Sequence, residues 1–136
     1  MFSKSFEGAR LEEAWIDGDD AARWRSASGH GPRMGAVGSG SSLIEVGAGC
    51  RLPRHTDSAE ETVVVLAGEA VLRVGEEARR VAAGAVAVVP PDVPHDIRNA
   101  GGATLRFVAV YADTDVTTTY EDEVQPDGSR ERRPLG

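Results

Sequence analysis

The chain has 136 residues, of which 40% are apolar, and 22 acidic against 15 basic side chains give it a net charge of −7. The length suits one domain with a single core, and the apolar content excludes a disordered chain. The acidic balance speaks against a nucleic-acid-binding surface, so no nucleic-acid partner is expected.

Three zones follow one another along the chain. Residues 1–42 form an N-terminal extension that holds both tryptophans, Trp15 and Trp24, and ends in a stretch rich in Gly and Ser. Asp19 to Arg25, with its leading acidic pair, is expected to make one short helical turn. The rest of the zone is expected to be irregular with one or two strands. The tryptophans are expected to cover an end of the core or a subunit interface.

Residues 43–111 are dense in short strand signals: Leu43–Val46, Glu61–Leu66, Ala70–Val74, Ala78–Val81, Ala85–Val89, His95–Asn99 and Thr104–Tyr111. Each is rich in Val or other strand formers and bounded by Gly, Pro or Asn. Gly68 is expected in a tight turn, and Gly75-Glu76-Glu77 and Gly101-Gly102 read as hairpins. Many short strands at even spacing predict an all-β chain, closed as an antiparallel barrel or jelly roll. Residues 112–136 add a strand signal at Thr117–Tyr120 and then a polar, charged tail beyond Gln125.

A lone cysteine, Cys50, excludes an internal disulfide and is expected to pack as a small hydrophobe. The opening MFSKSFEGAR lacks the apolar core of a signal peptide, and no run approaches the ~20 apolar residues of a membrane span. A cytoplasmic location without a membrane partner is expected. Gly35 to Gly40 lacks the lysine and hydroxyl that a phosphate-binding loop needs.

The chemistry gathers at two of the three histidines. Residues two apart on a strand share a face, so an extended segment points His55 and Asp57 the same way. Glu61 shares its face with Val63 and Val65, so if those valines face the core a carboxylate points into it and Glu60 points outward; a register slip of one would put Glu60 in its place. Such a carboxylate must be paired, protonated or bound to metal. His95 opens a strand after the proline-stiffened run Pro90 to Pro94. Two imidazoles with carboxylate suit a divalent transition metal: Fe, Mn, Ni, Zn or Cu. His30 sits in a Gly-rich loop and reads as a solvated histidine.

The segments around these residues carry a resemblance. Gly49, His55, Glu61 and Gly68 match in spacing the first motif of the cupin superfamily. That motif runs glycine, five residues, histidine, one residue, histidine, three or four residues, glutamate, six residues, glycine. Gly84, Pro90, His95 and Asn99 match its second motif. The likeness covers Leu43 to Tyr111, half the chain. It implies a cupin-type antiparallel barrel with one metal held by His55, Asp57, Glu61 and His95. There are two departures. Asp92 stands where the family usually has glycine, a mild change because aspartate tolerates turn conformations. Asp57 stands where the family usually has its second histidine. Three roles stay open for it: metal ligand, a partner that orients His55 or a water, or a solvated residue in a site without metal.

Cupins include dioxygenases, isomerases, epimerases, sensors and storage proteins, so the resemblance leaves the activity open. The first expectation is a metal-dependent enzyme of dioxygenase or isomerase type, with Asp57 as fourth ligand or proton acceptor. The alternative is a non-enzymatic ligand-binding or sensor cupin, with or without metal. Val63, Val65, Phe107 and Tyr111 are expected to face the ligand and favour a small, partly apolar molecule. Arg98 and Arg106 are expected to point outward. A homodimer is expected, with the N-terminal zone as its interface.

Overall fold

The computed structural model describes residues 1–136. Alternating burial builds its strands, as in Leu105–Tyr111, where Leu105, Phe107, Ala109 and Tyr111 are buried and Arg106, Val108 and Val110 are not. The strands are β1 (Glu12–Ile16), β2 (Asp19–Ser28), β3 (Gly40–Val46), β4 (Arg51–Asp57), β5 (Glu61–Ala67), β6 (Glu69–Val74), β7 (Glu77–Ala82), β8 (Val86–Val89), β9 (His95–Asn99), β10 (Leu105–Tyr111), β11 (Thr118–Val124) and β12 (Ser129–Arg132). No α-helix is present. The one helical piece is a 3₁₀ turn at Pro32–Met34.

The strands form two layers that curl toward each other as in a jelly roll. One runs β1-β2-β3-β10-β5-β8 and the other β7-β6-β9-β4-β11-β12. A single parallel bridge, Ala22 to Arg51, and the Arg51–Asp19 ion pair join them along one side. Val46, Val63, Val65, Leu72, Val89, Ile97, Leu105 and Phe107 fill the space between the layers. Burial of each such side chain contributes roughly 1.5–3 kcal/mol.

The seven strands expected in the middle zone are all present to within a few residues at their ends. One expectation about the N-terminal zone is overturned. Asp19–Ser28 is a ten-residue strand and not a helical turn. Ala22 and Trp24 point inward while Arg23 and Arg25 point outward, a period of two, and pairing with β1 and β3 overrides the acidic start. In the charged tail Arg130 and Arg132 lie on β12, and Leu135 is buried against Gly40, where a side chain would collide with it. Ser28 and Ser42 donate to the carbonyl of Pro134, which fastens the terminus across β2 and β3.

The glycine punctuation divides in the same way. Gly75-Glu76 is the two-residue turn of the β6–β7 hairpin. Gly68 and Gly101-Gly102 instead carry the chain from one layer to the other, because β5 and β6, like β9 and β10, pair with different neighbours. Gly68 has φ of 87°, and a Cβ there would lie 3.0 Å from both Leu105 Cα and the Thr104 carbonyl oxygen. Gly68→Ala is therefore expected to destabilise the chain by roughly 1–3 kcal/mol. Gly102→Ala, in open space, is expected to stay within about 0.5 kcal/mol. Urea denaturation of the two variants checks the contrast, and equal midpoints would contradict it.

Candidate metal centre

The first histidine is placed by a strand that composition does not reveal. Arg51–Asp57 holds arginine, proline, histidine and aspartate, yet it is β4, and its inward side chains include Leu52, His55 and Asp57. His95 opens β9 directly opposite His55, with ring centroids 4.1 Å apart. Glu61 comes from β5 in the facing layer, and Glu60 points out to solvent as alternation requires. All four side chains, His55, Asp57, Glu61 and His95, are 4% exposed or less. One ligand atom from each lies within 4.8 Å of the others, so the group could hold a metal ion.

The loops that deliver these residues explain the glycine positions. Gly49 (φ 77°) precedes β4 and Gly84 (φ 92°) precedes β8. Asp92 adopts φ of 62°, the left-handed conformation that glycine most easily supplies, and it is the one non-glycine residue to do so. Its N–H donates to the Asp57 carbonyl at 2.8 Å, tying the turn before His95 to the end of β4. Buried Asn99 donates to the carbonyls of Val46 and Ala103 and accepts from the N–H of Gly101, closing the crossing into β10.

Both imidazoles are oriented by the backbone. Nδ1 of His55 donates to the Pro53 carbonyl at 2.7 Å, and Nδ1 of His95 to the Val93 carbonyl at 2.9 Å. A carbonyl can only accept, so each Nδ1 carries a hydrogen and each Nε2 is turned inward. Asp57 is held by the Thr118 hydroxyl, which donates to Oδ1 at 2.6 Å. Oδ2 is buried without a hydrogen bond of good geometry, 3.1 Å from His95 Nε2 and 3.7 Å from His55 Nε2. His95 Nε2 lies 3.0 Å from Glu61 Oε1.

The protonation of the metal-free cluster follows. Burial, followed by the charge of His95, pushes His55 down to about 4, so its Nε2 presents a lone pair. Burial also opposes charge on His95, but Asp57 and Glu61 outweigh it and raise it to about 10. Burial raises Glu61 to about 7 against the pull of His95. Burial works to raise Asp57 as well, but His95, His55 and Thr118 together leave it lowered. A lone pair on His55 thus faces a carboxylate oxygen with no hydrogen between them. That arrangement calls for a cation.

The donor cluster borders a cavity of about 810 Å³, reached by His55 and Glu61. Trp24, Tyr111 and Tyr120 are also in its wall, with Ile44 and Leu52. Trp24 stacks on Tyr120 at 5.3 Å, and Tyr120 lies 5.0 Å from the His55 ring. Of the residues expected to face a ligand, Tyr111 does so, whereas Val63, Val65 and Phe107 belong to the closed core. Polar and charged residues such as Lys4, Arg10 and Arg132 line much of the cavity, so its wall is less apolar than expected. Arg98 is exposed and Arg106 pairs with Glu45, both outside the site. His30 bonds Ser39 and Ser41 in its own loop, and Cys50 packs on the core.

Sequence reasoning missed Thr118 and Tyr120. They lie on β11, which pairs with β4 so that Thr118 stands opposite Asp57 and Tyr120 opposite His55. The alternation Thr118, Tyr120 was the available signal, but nothing local says which strand they join.

These features meet in one family. The cupin-domain profile matches residues 42–111. The chain belongs to the cupin family. Among solved structures this cupin is similar to the oxalate decarboxylase of Bacillus subtilis, a protein with Mn(II) centres, at 20% identity and a TM-score of 0.66. The match covers 80% of this chain but only 30% of the decarboxylase. The Cnp3 cupin domain of Schizosaccharomyces pombe is similar at 18% identity and a TM-score of 0.65, covering 80% of this chain and 72% of that one. At such identities the likeness speaks for the fold. No curated protein matches the chain.

A divalent ion entering the cluster must displace the proton on His95 and the fraction still held by Glu61. Both groups are raised in the metal-free chain, so affinity for the ion is expected to increase as pH rises from 6 to 9. At pH 7 binding is expected to release about one to two protons. Calorimetry in buffers of different ionisation enthalpy reads that number, and zero release would contradict the protonation scheme.

Proposed function

We propose that this cupin holds one divalent metal ion on His55 Nε2, His95 Nε2, Asp57 Oδ2 and Glu61 Oε1. We further propose that it is a metal-dependent enzyme, of dioxygenase or isomerase type, acting on a small molecule in the adjacent cavity. The observation that carries the reading is the buried Asp57 Oδ2, which has no hydrogen bond of good geometry and faces the lone pair of His55. Leaving such a carboxylate oxygen unsatisfied in a dry core is costly, and a cation between the two atoms removes the cost.

Two imidazoles and two carboxylates, without thiolate, make an oxygen-rich set that favours manganese or iron over copper. Manganese in the Bacillus subtilis decarboxylase supports the same choice. Bound there, the ion supplies Lewis-acid polarisation of a substrate oxygen. The carbonyls of Pro53 and Val93 keep the two rings turned inward. Thr118 holds Oδ1 of Asp57 and leaves Oδ2 for the ion. For Asp57 the ligand role is better supported than that of proton acceptor, because its lowered pKa makes it a weak base. His55 and Glu61 border the cavity and Asp57 and His95 do not, so a substrate approaches from the His55–Glu61 side.

A second reading also has an observation in its favour. His95 Nε2 lies within 3.1 Å of carboxylate oxygens of both Glu61 and Asp57, so with a proton on it the cluster can persist as a metal-free ion network in a ligand-binding barrel. Elemental analysis separates the two. Protein purified without tag or chelator is expected to carry about one equivalent of metal and His55→Ala to lose it. Thr118→Val is expected to weaken metal binding about ten- to a hundredfold. Failure to take up Mn, Fe, Ni, Zn or Cu would overturn the metal reading and leave the second. Oxygen uptake and substrate isomerisation by the loaded protein then decide for an enzyme.

For a partner we propose a second copy of the chain, docked through β8 and not through the tryptophans. Trp24 is spent on the cavity wall, and Trp15 lies under Arg23. β8 ends its layer, and its sequence Val-Ala-Val-Val leaves Val86 and Val88 65% and 59% exposed beside Leu66 at 45%. The other layer ends in β7, guarded by exposed Glu77, Arg79 and Arg80. An uncharged edge can pair antiparallel with its own copy, and the absence of acid there spares two copies of charge −7 from repulsion at the contact. Sedimentation is expected to show a dimer that Val86→Lys with Val88→Lys converts to monomer. A monomeric wild-type chain would contradict the proposal.

A further inference from the structure

The two tyrosines of the cavity stand in a regular relation to the donor cluster. Tyr111 on β10 is paired with Glu61 on β5, and Tyr120 on β11 is paired with His55 on β4. Directly opposed residues on antiparallel strands share a face, so each ring lies beside one of the two cluster residues that reach the cavity. The tyrosines come from opposite layers and flank the site from both sides. They are close enough to the cluster for the charges of Glu61 and Asp57 to act on both phenols.

Both residues are more than nine-tenths buried, Tyr111 at 4% and Tyr120 at 8% exposure. The neighbouring His55 and His95 Nδ1 atoms, Glu61 Oε1 and Asp57 Oδ1 all have partners within the chain. The two phenol hydroxyls make no hydrogen bond within the chain and, unlike Asp57 Oδ2, are not sealed off but open on the cavity that both residues line. A phenol in a cavity wall turns its O–H toward whatever acceptor occupies the cavity, water or ligand. A phenol carries its hydrogen at neutral pH, so what the two side chains offer a ligand is donation. No acceptor in the protein takes it.

We propose that Tyr111 and Tyr120 are ligand-binding residues that donate to an anionic oxygen of a small organic molecule seated at the metal. This rests on the metal reading above and names the class of molecule for that site. Donors fixed in a cavity wall favour an oxyanion over a neutral carbonyl. With a divalent ion offset by Asp57 and Glu61, the centre carries little net charge, so an anion is not repelled from it. The Trp24–Tyr120 stack, with Ile44 and Leu52, gives the body of the ligand an apolar wall. The class is therefore a small molecule with an apolar body and an oxyanion head, either a carboxylate or a deprotonated hydroxy-carbonyl group.

The test uses the full chain loaded with Co²⁺, whose visible spectrum reports ligands at the ion. It is titrated in one arm with propionate and in the other with acetohydroxamate, which presents two neighbouring oxygens. Tyr111→Phe and Tyr120→Phe remove one oxygen each and keep the ring. Each is expected to bind Co²⁺ as the wild-type chain does and to raise the Kd of at least one probe about tenfold. An effect confined to propionate assigns the carboxylate class, and one confined to acetohydroxamate assigns the hydroxy-carbonyl class. Cobalt bound with probe affinities unchanged in both variants, or with neither probe bound, would overturn the proposal and leave the metal reading standing. A wild-type chain that takes up no cobalt would sink the metal reading, and this proposal with it.

Discussion

Acceptor atoms packed together in a dry interior cannot stand without positive charge between them, and the middle of this barrel is built on that constraint. Backbone carbonyls hold the Nδ1 hydrogens of His55 and His95, so both Nε2 atoms turn toward the carboxylates of Asp57 and Glu61. The charge that reconciles them is a proton on His95 or a metal ion. A metal ion answers all four donors at once, whereas the proton leaves Asp57 Oδ2 facing the His55 lone pair.

Much of the remaining architecture serves the precision of that cluster. The His55–His95 pair is a direct cross-strand pair, so its spacing is set by the ladder between β4 and β9. Glu61 arrives from the other layer, and its reach depends on how closely the layers approach. Gly68 sets part of that approach, since its missing Cβ lets the crossing pass against the backbone of Thr104 and Leu105. Asp92 accepts a left-handed conformation and binds the backbone of Asp57, so the turn before His95 is anchored on the strand that carries His55 and Asp57.

The two ends of the chain complete the site. β2 supplies Trp24, β11 supplies Thr118 and Tyr120, and the final residues are fastened over β2 and β3 by the Pro134 carbonyl. The cavity thus owes its floor to the cupin motifs and much of its wall to residues outside them.

What the sequence determined by itself is the set of local patterns. Val-rich alternation marked the central strands, and motif spacing marked His55, Glu61 and His95, because both depend on short stretches of chain. The inward direction of Glu61 over Glu60 followed from a period of two. The identity of Asp57 was legible, but its placement was not, since that depends on the Thr118 hydroxyl arriving from 61 residues away. β2 was misread because its acidic start resembles a helix cap, and only pairing with β1 and β3 makes it a strand. Tertiary structure alone decided which strands became neighbours, and with that the partners of Asp57, the position of the tyrosines and the cavity they enclose. The physical reason is that cross-strand pairing is settled by packing between distant segments, which no local periodicity encodes.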